Sequence, residues 1–81
     1  MRASRYAYAD NPPRRASVER VLRKLGWTSA NPRHPHAVWF SPDRQRTTCV
    51  SGHKGRDVPY GTFRAVLKDI GITEKQFNKL A

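Results

Sequence analysis

The chain has 81 residues, the length of one small domain, so it can bury only a modest core. Its 16 Lys and Arg against 6 Asp and Glu give a formal net charge of +10, which favours a polyanion or an acidic protein as partner. A single cysteine excludes an intrachain disulfide and indicates a reducing, cytoplasmic location, and the lack of any apolar run of about 18–20 residues excludes a membrane-spanning helix.

Residues 1–16 are predicted to form an N-terminal extension. Residues 11–15 show neither the apolar spacing of a helix nor the alternation of a strand, and their prolines cannot continue a helix. The folded domain is therefore predicted over residues 17–81.

A first helix is predicted to follow the extension. Ser17 is a favoured N-cap residue, and Gly26 stands where the left-handed residue that ends a helix belongs. Four apolar residues recur at the i, i+3, i+4, i+7 spacing of a helix with one buried face, namely Val18, Val21, Leu22 and Leu25. The opposite face carries the cations Arg20, Arg23 and Lys24.

Three strands are predicted next. Residues 27–30 could form the first strand, which Asn31 and Pro32 would end. The second strand covers residues 36–40 and is rich in β-forming side chains, and the third covers residues 46–50. Between these two, Pro42-Asp43 suits the centre of a type I turn, which predicts an antiparallel hairpin.

Two further helices are predicted in the C-terminal part. Thr62 is the predicted N-cap of the second helix and Gly71 its end, and the buried face would hold Phe63, Val66, Leu67 and Ile70. Residues 73–76 have the capping-box pattern that opens a last short helix. The order helix, three strands, helix and terminal helix predicts an α+β domain of the double-stranded-RNA-binding type, α-β-β-β-α with an antiparallel three-stranded sheet.

Several short motifs follow one another along the chain. They are Gly26-Trp27 after the first helix, the histidine-bearing strand, Val50-Ser51-Gly52-His53, residues 59–67 and Gly71-Ile72-Thr73. Over about residues 17–80 this arrangement resembles the HicA (YcfA-like) toxins. The resemblance implies a double-stranded-RNA-binding type of fold and a toxin of a type II toxin–antitoxin pair. It also implies ribosome-independent cleavage of mRNA and a HicB-like antitoxin that neutralises the toxin by binding it.

The same resemblance assigns roles to histidines. The catalytic histidine of the family lies in a Gly-Ser/Thr-His motif at the start of the second strand, and His36 stands at the matching position. His34-Pro35 replaces the two preceding residues, which leaves open a divergent site, a second histidine that shares the work, or lost activity. His53 matches a second family histidine after the third strand, so His34 and His53 are auxiliary candidates. Residues 34 and 36 would point to one face of a strand.

Cleavage of RNA without a metal needs a base for the 2′-hydroxyl proton and cations at the phosphate. Imidazole titrates near neutral pH and suits the base role, which is worth about 10²–10⁴-fold in rate. The cations predicted to bind RNA are Arg20, Arg23, Lys24, Lys54 and Arg56. The spacing of the histidines and Cys49 matches no strong zinc pattern, so no metal and no cofactor is predicted.

Two other hypotheses about the function remain open from the sequence. The first is a non-catalytic basic module of the same fold that binds RNA, and the second is a cationic protein that acts only by docking to an acidic partner. His36 separates the leading hypothesis from the first, because an RNase needs this imidazole and a binder does not. The salt dependence of RNA binding separates the second, because phosphate contacts weaken steeply as salt rises.

Overall fold

The structure is a computed structural model that describes residues 13–52 and 57–81. Its helices and strands are, in chain order, α1 (Arg15–Lys24), β1 (His36–Phe40), β2 (Thr47–Ser51), α2 (Tyr60–Ile70) and α3 (Glu74–Leu80). In this part of the chain, β1 and β2 form a two-stranded antiparallel sheet, so the domain belongs to the α+β class, as predicted. None of the helices in the described ranges is long and apolar enough to cross a membrane.

The hairpin has a register that runs from His36 opposite Ser51 to Phe40 opposite Thr47. Its turn confirms the prediction for Pro42 and Asp43, because the Arg44 N–H donates to the Ser41 carbonyl at 2.8 Å across them.

Side chains of the turn reinforce it. The Ser41 hydroxyl donates to Asp43 Oδ1 at 2.6 Å, and the Gln45 N–H donates to the same oxygen at 3.0 Å. The Ser41 hydroxyl, followed by the Gln45 amide, holds the pKa of the Asp43 carboxyl below its ordinary value. All the partners of this carboxylate therefore lie within a few residues of it along the chain.

The predicted strand at residues 27–30 is wrong. Only Thr28 pairs with the sheet, through two backbone hydrogen bonds with Phe40 of 3.0 and 2.8 Å. The Ser29 hydroxyl then donates to the Val38 carbonyl at 2.6 Å, and so takes the acceptor that the next backbone N–H of a ladder would use. A three-stranded sheet of the double-stranded-RNA-binding type is therefore not confirmed.

Helix α1 begins earlier than predicted. Its first residue is Arg15, and the N-cap residue is Arg14, which makes no side-chain capping bond, so the assignment of Ser17 as N-cap is wrong. The reason is the Arg15 side chain, which is buried with only 3% of its surface exposed and fixes the first turn against the domain. Gly26 has φ +86 after the helix, which confirms its predicted left-handed position.

Helix α2 also begins earlier than predicted. Its N-cap residue is Pro59, whose carbonyl accepts the Phe63 N–H at 2.9 Å, so the assignment of Thr62 as N-cap is wrong. Gly71 ends the helix with φ +80, as predicted. The capping box at α3 is confirmed, since Thr73 and Gln76 exchange side-chain-to-backbone hydrogen bonds of 2.9 and 3.1 Å.

The core lies between the inner face of the hairpin and the helices. Ala37, Trp39 and Val50 point inward from the strands and pack with the apolar faces of the helices. The buried helical residues are Val18, Val21 and Leu22 on α1, Phe63, Val66, Leu67 and Ile70 on α2, and Phe77 on α3. Because side chains alternate along a strand, His36 and Val38 lie on the opposite, outward face.

Candidate active site

His36 is the first residue of β1, and its side chain is exposed on the outward face of the hairpin. The cross-strand partner is Ser51, the last residue of β2. His36 Nδ1 lies 3.3 Å from Ser51 Oγ, so one ring nitrogen is engaged by a hydroxyl. Among the described residues the other nitrogen, Nε2, has no hydrogen-bond partner, and it is available to a substrate.

His34 lies beside His36 but not in the same strand. Its N–H donates to the Asn31 carbonyl at 3.0 Å, so it closes a turn, and the predicted placement of both histidines along one strand face is wrong. The structure nevertheless brings the rings together, with centroids 6.3 Å apart. The backbone N–H of His36 donates to His34 Nδ1 at 3.0 Å, which places the proton of the neutral His34 ring on Nε2.

Arg15 connects α1 to this site. Its guanidinium donates to backbone carbonyls just before His36 and just after Ser51. Nε donates to Glu19 Oε2 at 2.9 Å, so the buried cation has a carboxylate partner. The sequence gives no sign of this role, because a Pro-Pro-Arg-Arg run is typical of a basic tail.

Gly52 closes the same end of the hairpin. Its N–H donates to the Pro35 carbonyl at 3.0 Å, which extends the pairing of β1 and β2 beyond His36 and Ser51. Its φ is +124, a conformation that L side chains rarely adopt, and a Cβ here would lie 3.4 Å from the Asp57 carbonyl oxygen. The backbone conformation therefore favours glycine at this position, since any other residue would be strained there.

The three cations predicted on α1 are all exposed. The Arg23 guanidinium lies 5.3 Å from the centre of the Trp39 ring and 3.9 Å from Glu19 Oε1. Lys24 Nζ donates to the Leu80 carbonyl at the end of α3, at 2.6 Å. Arg20 makes no ion pair or hydrogen bond with the residues that the structure describes, so its full donor set faces solvent.

Arg33 extends this positive surface towards the histidines. It lines a shallow depression together with Arg15, Glu19, Arg23 and Pro32. A neighbouring depression shares Glu19 and Arg23 and adds Arg20 and Lys24. We call Arg20, Arg23, Lys24 and Arg33 the basic strip. It runs from the exposed face of α1 to the residue next to His34. Arg33 is not among the cations predicted from the sequence to bind RNA.

The family of this chain follows from its sequence match. Residues 15–72 match the model of the HicA toxin of bacterial toxin–antitoxin systems. The chain belongs to the HicA toxin family. It is thus a toxin of a toxin–antitoxin system, and the family pairs with the HicB antitoxin. No curated protein matched the chain in a sequence search.

The HicA match contains the histidine pair, the basic strip, Arg15 and Gly52, since all of them lie between residues 15 and 72. The other predicted site residues, His53, Lys54 and Arg56, lie outside the described residues. Within residues 13–52 and 57–81, no three His, Cys, Asp or Glu side chains are grouped so that they could hold a metal ion.

Proposed function

We propose that this HicA-family toxin is a metal-independent endoribonuclease that cleaves mRNA without the ribosome, with His36 as the general base. One observation carries the proposal. The His36 ring stands exposed at the start of β1, with Nδ1 engaged by Ser51 and with Nε2 directed at no described residue. A base needs an accessible lone pair within hydrogen-bond reach of the proton that it removes.

The proposed step is attack by the 2′-hydroxyl of the RNA on the adjacent phosphorus. When Nδ1 of His36 carries the proton and donates to Ser51 Oγ, the lone pair of Nε2 takes the 2′-hydroxyl proton. A bond forms between O2′ and phosphorus as the bond from phosphorus to O5′ breaks. O5′ takes a proton from water, and the hydroxide that remains takes the proton from His36, which restores the base. The products are a 2′,3′-cyclic phosphate and a 5′-hydroxyl.

His34 suits a different role in this step. Its Nδ1 accepts the His36 N–H, so the neutral ring presents an Nε2–H donor to solvent near His36. Such a donor can bind a non-bridging phosphate oxygen, where negative charge grows in the transition state. An imidazolium at His34 would carry a proton on Nδ1 and would lose the bond to the His36 backbone, so the donor role fits the geometry better than the role of general acid.

The basic strip would hold the RNA backbone. Arginine forks match phosphate oxygens, and Arg20 and Arg33 are exposed beside the depressions that lead along α1 to Arg33, the residue before His34. Arg23 and Lys24 would add charge next to them. We retain Lys54 and Arg56 as proposed phosphate ligands, and His53 as a proposed auxiliary histidine, on the strength of the sequence alone.

We also propose a protein partner and a cellular location for the toxin. The HicB-like antitoxin would silence the toxin by covering His36 or the basic strip, in the cytoplasm. The sequence predicts an extension over residues 1–16 and a domain over residues 17–81. Because Arg15 and Ala16 belong to α1, we propose that the extension ends before Arg15.

The test is cleavage of a labelled single-stranded RNA by the purified chain and by His36→Ala. We expect the change to lower the cleavage rate by about 10²–10⁴-fold, since it removes the base. Circular dichroism would show an unchanged fold, because the side chain is exposed. EDTA should leave the parent rate unchanged, and a substrate with a single 2′-deoxy sugar at the cleaved position should resist. A His36→Ala variant that cleaves as fast as the parent would refute the proposal.

The second candidate is a non-catalytic RNA-binding toxin, which the basic strip favours. It predicts salt-sensitive RNA binding by the parent with no cleavage at any time, and full toxicity of His36→Ala on expression. Growth after induction of the two proteins, measured beside the cleavage assay, separates this candidate from the first.

A further inference from the structure

Arg15 is the most completely bonded polar side chain in the described part of the chain. A guanidinium has five N–H donors, and here five acceptors meet it. One acceptor is the Glu19 carboxylate. The other four are backbone carbonyls, those of Pro32, His34, Pro35 and Gly52. With 3% of its surface exposed, Arg15 is an internal link between α1 and the site end of the hairpin.

The four carbonyls are all next to the histidines. Three of them belong to residues 32–35, the segment that carries His34 and leads into His36, and the fourth belongs to the residue after Ser51. The two prolines in that segment have no N–H, so the segment cannot form a regular ladder with a neighbouring strand. The guanidinium supplies hydrogen bonds in place of that ladder. One rigid group therefore fixes the backbone of the segment that carries His34 and His36 and the backbone next to Ser51.

We propose that Arg15 is the positioning residue of the site. It fixes His36 Nδ1 against Ser51 and His34 Nδ1 against the His36 N–H, and Glu19 supplies the charge that lets the guanidinium stay buried. The catalytic part of this inference rests on the proposed RNase function. Arg15 does not touch the RNA, since its donors are all engaged by the protein.

Lysine is not an equivalent residue here. An ammonium is a point charge with three donors, while these carbonyls surround a planar fork. Arg15→Lys keeps the charge beside Glu19 and has a stem long enough to fill the space, so it tests the fork rather than the charge. Arg15→Ala removes the whole group and leaves room for free guanidinium. Arg64, which is exposed on α2, gives the matched control Arg64→Ala.

The first measurement is independent of activity. Nitrogen-15 NMR of the imidazoles reports the tautomer of each ring, and the amide spectrum reports the rest of the fold. For Arg15→Lys we expect changed ring signals for His34 and His36, with the amides of α2 and α3 unchanged. Arg64→Ala should leave all of these signals in place. A folded Arg15→Lys with the ring signals of the parent would overturn the proposal.

The second measurement is RNA cleavage with and without added guanidinium, at concentrations far below those that unfold proteins. For Arg15→Ala we expect kcat to fall by about 10²-fold with a much smaller change in KM, because misplacement of reacting groups by about 1 Å has that effect. Guanidinium should restore kcat in Arg15→Ala and not in His36→Ala, and equal sodium chloride should restore neither. Unchanged kcat in both Arg15 variants would overturn the proposal.

The two measurements separate the two hypotheses. If the parent does not cleave RNA, the proposed function has failed, and the NMR comparison still decides whether Arg15 positions the histidines. If the parent cleaves, and the Arg15 variants show parent-like ring signals and rates, positioning by Arg15 has failed while the RNase function stands. If Arg15→Ala does not fold, Arg15→Lys carries both measurements.

Discussion

The two ends of the β1–β2 hairpin are held in opposite ways. At the turn end, residues 41–46 bond to one another, with Asp43 accepting from the Ser41 hydroxyl and the Gln45 amide. At the site end, where His36 faces Ser51, the carbonyls are held by Arg15, whose four carbonyl acceptors lie between 17 and 37 residues away in the chain. The turn end is held mainly by bonds among its own residues, with one further bond from the Arg46 guanidinium to the Asp69 carbonyl at 3.4 Å. The site end depends on a residue of a distant helix.

The turn is therefore stabilised by local contacts, whereas the site end is stabilised by contacts that form only in the whole fold. The turn can form as soon as its few residues meet, because its contacts close only short loops. The site end requires α1 and the hairpin to dock before the guanidinium finds its acceptors. The position of the histidine segment relative to Ser51 therefore depends on the folded domain, while the bonds of His34 to Asn31 and to His36 are local.

The largest expected effect is loss of the distant anchor. Arg15→Met should lower the free energy of unfolding by about 3–5 kcal/mol, because it leaves the Glu19 carboxylate with only the more distant Arg23 and removes the partner of four part-buried carbonyls. The matched change at an exposed arginine, Arg64→Met, should stay within about 0.5 kcal/mol. Urea unfolding followed by circular dichroism measures both. Equal stability of the two variants would show that the site end does not depend on Arg15.

A smaller effect is expected from Gly52 at the same end. Gly52→Ala forces a Cβ onto a residue with φ +124 and should cost about 1–3 kcal/mol of stability. Gly61 offers the control, since it is helical and a Cβ there would meet no atom within 4 Å. Gly61→Ala should therefore raise stability, by about 0.5–1 kcal/mol. The melting temperatures of both variants measure these effects. A shift in the same direction for Gly52→Ala and Gly61→Ala would contradict the role of the Gly52 backbone conformation.

Charge reversal on the basic strip should slow capture by the antitoxin more than charge reversal at the turn end of the hairpin. Arg20→Glu with Arg23→Glu, on the basic strip, should slow capture by an acidic antitoxin about tenfold at low salt, since complementary charge mainly speeds encounter. Arg44→Glu with Arg46→Glu changes the net charge equally at the turn end and should slow capture less. Stopped-flow kinetics over a salt series measures both. Equal slowing would place the antitoxin elsewhere.

The smallest effect is expected at Asp43. Because the pKa of this carboxyl is lowered in the folded chain, its stabilisation is present above the ordinary pKa of 3.8 and is lost as the pH falls through the lower folded value. Asp43→Asn should therefore unfold slightly earlier than the parent at neutral pH, and the gap should close in acid. Melting temperatures across this range measure it. A difference in melting temperature between Asp43→Asn and the parent that widens in acid would contradict a lowered pKa for Asp43.

The same contrast explains what the sequence could predict. The hairpin turn, the left-handed Gly26 and Gly71 and the capping box at Thr73 depend on neighbouring residues, and the structure confirms them. The strand at residues 27–30 was wrong because one side chain, Ser29, takes the carbonyl that a ladder needs. Local pattern gives no signal for such a competition.

The candidate site divides in the same way. His36 could be proposed from the resemblance to the HicA family, and His34, which departs from the family motif, only as an extra imidazole beside it. Arg15 could not, because its role depends on carbonyls that are brought to it only by the tertiary fold. Ser51 was also missed, since the partner of a strand residue follows from the register, and here β2 runs over Thr47–Ser51 rather than residues 46–50.

The outward face of the hairpin carries the only cysteine of the chain. Cys49 is exposed, lies opposite Val38 and is two residues from Ser51 on the same face of β2. A thiol-reactive dye should therefore attach at one defined place beside the histidines without any engineered residue. The rate of that labelling gives a direct reading of occupancy: whatever covers His36, whether RNA or antitoxin, will slow it, and a ligand bound behind α2 will not.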